Sequence, residues 1–279
     1  MMVVGEPAFE KWLNSLADYP LVGAEASIKL SARGICGDRF LAAIERSSFD
    51  WDRFRNLCLS MQLPDEQLAP LREAFTEANQ VGFGFEAEQS RVVYKLYFEF
   101  WDRLVGEIRA DPRNVTPRPL HLGLKWDPVA PSRVISATYT CFPLLSIRGI
   151  LSRLSAFPDS DSVSVRTTWR IIARAAPQLR NDSFIYLEAG EASTNRLSYD
   201  LNLYKSNCRI YHMMDLLDAA RAGYGLPEQA TRQLETAAEN LLGHIGGGQG
   251  RDGDDYLTVY YEMDCLPGFP PPDSGQKKF

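Results

Sequence analysis

The chain has 279 residues, a formal net charge of −6 and plentiful aromatics, with 12 Tyr and 14 Phe, so one domain with a sizeable core is expected. The acidic balance argues against nucleic acid as a partner, because a phosphate backbone selects a basic face. No stretch reaches the roughly 18 apolar residues of a membrane span, and "MMVVGEPAFEKW" lacks a basic leader before an apolar core, so a cytoplasmic, monomeric protein with no membrane partner is expected.

In chain order, "PAFEKWLNSLAD" (7–18) reads as a helix. "EASIKLS" (25–31) alternates with period two: Glu25, Ser27, Lys29 and Ser31 share one face, and Ala26, Ile28 and Leu30 the other. "DRFLAAIERS" (38–47), "FDWDRFRNLCLSM" (49–61) and "PDEQLAPLREAFTEAN" (64–79) are predicted as helices. "VYKLYFEF" (93–100) sets Lys95, Tyr97 and Glu99 against Tyr94, Leu96, Phe98 and Phe100. "HLGLKW" (121–126) sets His121, Gly123 and Lys125 against Leu122, Leu124 and Trp126. "RVISATYT" (133–140) and "SFIYLEA" (183–189) are less regular strands, with helices predicted over 143–154 and 162–176 between them.

"RLSYDLNLY" (196–204) alternates again, with Arg196, Ser198, Asp200, Asn202 and Tyr204 on the polar face. Two helices follow, over 210–225 and 227–245, with Pro227 opening the second, where a missing N–H costs nothing. In "YLTVYYE" (256–262), Thr258, Tyr260 and Glu262 oppose Leu257, Val259 and Tyr261. The run "GHIGGGQGRDGDD" before it has no Lys followed by Ser or Thr and does not open a helix, so it is neither a Walker loop nor a dinucleotide fingerprint. Asp252, Asp254 and Asp255 lack the spacing of a calcium loop. The run reads as a turn feeding a strand.

The five cysteines are scattered without a CxxC pair, which fits reduced thiols and neither a zinc site nor a disulfide framework. A single domain over 1–265 and a disordered, Pro-rich tail over 266–279 are expected. Helices can cover the apolar strand faces. The polar faces then meet in the lumen of a closed barrel, or, alternatively, one face of an open antiparallel sheet stays wet.

The polar parity carries Lys29, Lys95, Lys125 and Arg196, with Arg39 and Arg133 close to strand ends. Tyr97, Tyr204 and Tyr260 sit among them, and Tyr139 can join. Converging cations suit a diphosphate, tyrosine faces suit a carbocation, and a carboxylate suits a general base. "EASIKL", "DRFLAAI", "VVYKLYFEF", "SRVISATYT" and "YLTVYYE" occur in an order that resembles the cyanobactin-type peptide prenyltransferases, of the ABBA or PT-barrel class. The resemblance implies an α/β fold: an antiparallel β-barrel of about ten strands surrounded by paired α-helices. It implies a prenyltransferase that moves a dimethylallyl group from an allylic diphosphate to a side chain of a ribosomal peptide, with Mg2+ assisting and no metal-ligating side chain.

By the same resemblance Glu25 is the base, Arg39 and Lys95 bind the diphosphate, and Tyr97, Tyr139 and Tyr260 shield the cation. Parity and position add Lys125, Arg133 and Arg196 to the diphosphate ligands and Tyr204 to the shield. "LKWDPVAPSRV" and the glycine-rich loop depart from the family pattern, which bears on the acceptor pocket. Two other readings stand beside this one. The same barrel can serve a small indole or phenol, or it can be a non-catalytic binding barrel. A bulky Phe184 or Tyr186 at the lumen floor would favour a five-carbon donor.

Overall fold

The computed structural model describes residues 6–88, 91–178, 185–191, 194 and 196–266. The chain enters on α1 (Glu6–Leu16) and then alternates antiparallel hairpins with helices. β1 (Leu21–Ser31), the short β2 (Gly34–Cys36) and β3 (Arg39–Glu45) lead to α2 (Trp51–Ser60) and α3 (Arg72–Glu77). β4 (Gln80–Glu88) and β5 (Arg91–Glu99) precede α4 (Trp101–Ala110). β6 (Arg118–Asp127) and β7 (Ala130–Cys141) precede α5 (Ile147–Ser155) and α6 (Val163–Ala175). β8 (Ile185–Gly190) and β9 (Leu197–Asn202) lead to α7 (Met214–Gly223) and α8 (Thr231–Glu235), and β10 (Leu242–Gln249) and β11 (Asp255–Glu262) complete the series.

Neighbouring hairpins pair across the intervening helices, and β11 pairs back onto β1, with Glu25 opposite Glu262, Ser27 opposite Tyr260 and Lys29 opposite Thr258. All strands but β2 therefore close into a ten-stranded antiparallel barrel, and the open-sheet alternative is excluded. Closure also removes the free strand edges.

Alternation along each strand decides what the barrel shows outward and inward. On β5 and β6 the apolar parity, Tyr94, Leu96, Phe98, Leu124 and Trp126, packs outward beneath Trp12 of α1, Phe54 of α2 and Phe75 of α3. Trp126 donates its ring N–H to the Met61 carbonyl at 2.9 Å, so its burial leaves no orphan donor. On the opposite side Tyr186, Tyr199, Leu201, Ile245 and Val259 pack against Leu154, Ile171, Ile172 and Leu217 of α5, α6 and α7. Tyr186 thus belongs to the outer core and not to the lumen floor, and Phe184 lies outside the described residues. The expected tail also lies outside them, except that Leu266 is buried in the core beneath α1–α3.

Several elements differ from the sequence reading. "DRFLAAI", expected as a helix, is β3. Its alternation of Phe40, Ala42 and Ile44 with Arg39, Leu41 and Ala43 serves period two as well, and pairing to β1 and β4 overrides the helix propensity of its Leu and Ala. β4 is hidden in the sequence by Gly82 and Gly84, which weaken strand propensity, and α4 was not expected. Residues 64–79 form two 3-10 turns and the short α3, not one helix. The helix expected over 227–245 ends at Glu235, and the glycine run is itself β10. Its glycines make room for a tyrosine of β9 and one in the turn that follows it. A Cβ at Gly243 would stand 2.6 Å from the Tyr204 hydroxyl, and one at Gly247 would stand 2.5 Å from the Tyr199 hydroxyl.

One polar clamp ties the outer helices to the barrel. Ser162 caps α6, and Asp255 of β11 accepts from Ser164 N at 3.0 Å, from Ser164 Oγ at 2.5 Å and from the Tyr224 hydroxyl at 2.8 Å. A carboxylate at a helix N-terminus also complements the helix dipole. Asp255→Ala is expected to cost about 2–3 kcal/mol, since it leaves these donors without their shared acceptor. Thermal unfolding checks this, and an unchanged midpoint would contradict it.

Candidate active site

The lumen is built from the inward parity. Register sets Glu25 beside Leu41, Leu41 beside Gly84, Gly84 beside Lys95 and Lys95 beside Lys125. One row further along, Tyr97 stands between Gly82 and Gly123. A Cβ at Gly123 would come 2.9 Å from the Tyr97 ring and 3.2 Å from the Tyr139 ring, so glycine there leaves the space both rings fill. The remaining cavity is about 180 Å³ and is lined by Glu25, Arg39, Lys95, Tyr97, Tyr139 and Tyr260 among others.

Cations gather at one pole of this lumen, held by the half-buried Glu86 and the buried Glu191. Arg39 pairs with Glu86 at 2.5 Å and donates to Ser27 Oγ at 3.1 Å, while Lys95 takes the other oxygen of Glu86. Burial would raise the Glu86 carboxyl, but Arg39, Lys95 and Lys29 outweigh it and hold it well below the usual range. Glu191, its side chain fully buried, accepts from Arg196 at 2.9 Å and from both ends of the Arg251 fork at 2.8 Å. Lys125 comes no nearer to Glu191 than 4.0 Å. Burial, aided by Arg196 and Lys95, pushes the Lys125 amine well below its ordinary value.

Lys95 is pulled down to about 8 by burial and by Arg39, against the pull of Glu86. The two partners shift unequally because Glu86 serves two cations at once. The pole therefore has more positive charge than its carboxylates neutralise.

The other pole is acidic and surrounds Glu25. The Tyr204 hydroxyl donates to Glu25 Oε1 at 2.5 Å, and His244 Nε2 lies 3.7 Å from the same oxygen. His244 Nδ1 contacts Asp200 at 2.8 Å. Burial raises the Glu25 carboxyl, opposed by His244 and Tyr204 and supported by Asp200 and Glu262. Burial would discharge His244, yet Asp200, Glu25 and Glu99 outweigh it and raise the ring to about 9. Between the poles Tyr97 and Tyr139 meet edge to face at 5.8 Å, and Tyr260 faces the His244 ring at 6.0 Å. These rings line the cavity with their apolar bodies.

Of the residues singled out in the sequence, Glu25, Arg39, Lys95, Tyr97, Tyr139 and Tyr260 line one cavity. Lys125 and Arg196 join the cation pole through Glu191. Arg133 does not: it is exposed, towards one end of β7. Tyr204 lies in a 3-10 turn beyond the end of β9 and reaches Glu25 as a hydrogen-bond donor, not as a ring around the cavity. The sequence reading missed Glu86, Glu191, Arg251 and His244 as parts of the lumen. Glu86 and His244 were hidden because their strands were not recognised. On the correct strands, the same two-residue parity would have found both.

For Mg2+, which the resemblance implies as an aid to the diphosphate, the described residues form no donor set of their own. Glu86 and Glu191 are taken up by arginines and lysines, and among the described residues no three His, Cys, Asp or Glu groups are placed to hold a metal ion. No helix among the described residues is long and apolar enough to cross a membrane.

No protein-family model and no curated protein matches the sequence. Solved structures do match. The prenyltransferase PriB, solved in a binary complex with product diphosphate, superimposes with a TM-score of 0.62 at 14% identity, over 98% of this chain and 95% of that one. 5-Dimethylallyltryptophan synthase from Streptomyces coelicolor gives 0.62 at 12% identity, over 94% and 92%. 6-Dimethylallyltryptophan synthase from Micromonospora olivasterospora, in complex with DMASPP and Trp, gives 0.56 at 13% identity, over 94% and 98%. The chain shares the helix-ringed antiparallel barrel of these proteins, the ABBA fold that the sequence motifs implied.

Proposed function

We propose that this chain is an aromatic prenyltransferase that moves a dimethylallyl group from its diphosphate to an electron-rich aromatic acceptor. The observation that carries the reading is a lumen with surplus cations at one pole, a buried carboxylate at the other and tyrosine rings between. The structural neighbours solved with diphosphate, a thiolodiphosphate analogue or tryptophan support it. In this mechanism the allylic C–O bond breaks with its electron pair going to the diphosphate. Arg39, Lys95, Lys125 and Arg196 receive that charge. Tyr97, Tyr139 and Tyr260 face the dimethylallyl cation and keep water from it. The acceptor's electron pair forms the new bond, and Glu25 takes the proton that the acceptor loses.

The acidic pole, where Glu25, Asp200 and Glu262 lie together, suits an acceptor that carries an amino group, such as a small indole. A side chain of a ribosomal peptide, the acceptor implied by the sequence resemblance, would have to enter the same space. Mass-spectrometric assays with dimethylallyl diphosphate and L-tryptophan, or a tryptophan-bearing peptide, separate the two, and parallel reactions with Mg2+ or a chelator test the metal. Prenylation of neither acceptor, with donor binding intact, would leave a donor-binding barrel and remove the transferase reading.

The lysines give the donor site a pH dependence. Both amines are depressed by burial and by neighbouring cations, and an arriving diphosphate favours their charged forms, so binding takes up protons. Donor affinity is therefore expected to fall as pH rises above about 8, where Lys95 discharges. One linked proton allows up to about a tenfold loss per pH unit. An affinity constant from pH 7 to 10 would contradict this.

A further inference from the structure

We infer that His244, held by Asp200, is a positioning residue for Glu25: it orients the carboxylate and supplies the positive charge that keeps this buried group ionised. The inference rests on the proposed role of Glu25 as base. His244 lies on β10 opposite Tyr260 of β11 and Asn202 of β9, which puts its ring inside the lumen. Asp200 takes Nδ1 at 2.8 Å and so fixes the ring plane. Nε2 is then turned towards Glu25 Oε1, 3.7 Å away, with Asn202 Nδ2 beside it at 3.3 Å. The Tyr204 ring closes the other side edge-on at 5.3 Å.

Among the described residues, the side-chain contacts to Glu25 from Tyr204 and from His244 both fall on Oε1. Oε2 is left for the proton of the acceptor. The charges around Glu25 would otherwise oppose its ionisation. Asp200 faces it from β9 and Glu262 from β11, and Leu41 beside it on β3 offers no compensation. Among the described residues, His244 is the cation that acts on Glu25, and Asp200, Glu25 and Glu99 all favour its protonated form. A buried carboxylate without such a partner takes up a proton and ceases to be a base at neutral pH.

The test follows both titrations by NMR in the full chain. The chain has only three histidines, so His121→Gln and His212→Gln assign the His244 signals, and Glu25→Gln assigns the Glu25 carboxyl. His244 is expected to titrate near 9 and to move down by about one pH unit or more in Asp200→Asn. The Glu25 midpoint is expected to rise further in His244→Gln, an effect that a merely structural histidine would not produce. Should His244→Gln fail to fold, Asp200→Asn carries the same test, because its weakened histidine must also let Glu25 rise. A wild-type His244 midpoint near 6.5, or a Glu25 midpoint unmoved in a folded variant, would overturn the inference. Failure of the chain to bind a dimethylallyl diphosphate analogue would instead overturn the proposed function and leave these titrations standing.

Discussion

Glu25→Gln is expected to lower prenyl transfer by about 10²–10⁴-fold while changing the affinity for the allylic diphosphate by no more than about twofold. The amide keeps the shape of the carboxylate and can still accept from Tyr204, so the pocket survives. What it loses is the capacity to take a proton. Donor affinity is spared because the cations that receive the diphosphate are held by Glu86 and Glu191, not by Glu25. Single-turnover transfer beside donor titration separates the two effects. A variant with wild-type transfer would remove Glu25 from the mechanism, and one that lost donor binding would show that Glu25 shapes the cation pole instead.

The second large effect concerns stability. Glu86→Gln is expected to cost about 3–5 kcal/mol, because the buried Arg39 and the half-buried Lys95 then lose the carboxylate they share. For a chain of this size that lowers Tm by roughly 6–20 °C. Millimolar inorganic pyrophosphate is expected to restore part of the loss, since a bound anion replaces the missing negative charge and stabilises the folded state by mass action. The sign with pH follows from the depressed carboxyl. The stabilisation is present above its ordinary value of 4.5 and is lost as pH falls through the lower value it holds in the folded state. A Tm within a degree of wild type, or no response to the anion, would contradict this account of the pole.

Much of the barrel was legible because period-two alternation is a direct consequence of strand geometry. Lys95, Tyr97 and Glu99 had to share a face once β5 was recognised, and Glu25 shared one with Ser27 and Lys29. Legibility failed where composition imitates another element. The Leu and Ala of β3 read as helix, and the glycines of β4 and β10 read as loop. Those glycines are small for a reason that lies elsewhere in the fold: Tyr199 of β9 and Tyr204 in the turn after it need the room at β10, and Leu41 and Lys95 crowd the glycines of β4. Local propensity carries no information about such a partner.

The same limit explains the site. Parity placed Lys125 and Arg196 among the inward cations but could not tell them from Arg133, whose exposure depends on where β7 lies at the barrel end. Glu191 lies immediately after the last residue of β8, and its pairing with Arg251, 60 residues on, exists only in the closed barrel. His244 was read as part of a helix, so its place between Asp200 and Glu25 had no sequence signal of its own.

The central claim is that the lumen is a site for an allylic diphosphate. Calorimetric titration with dimethylallyl thiolodiphosphate, a donor analogue that resists ionisation, tests it most directly when run beside Lys95→Ala. The expected result is saturable one-to-one binding to the wild type, weakened about tenfold or more in the variant, as the loss of one charged hydrogen-bond donor implies. A folded wild-type chain that takes up none of the analogue would contradict the account.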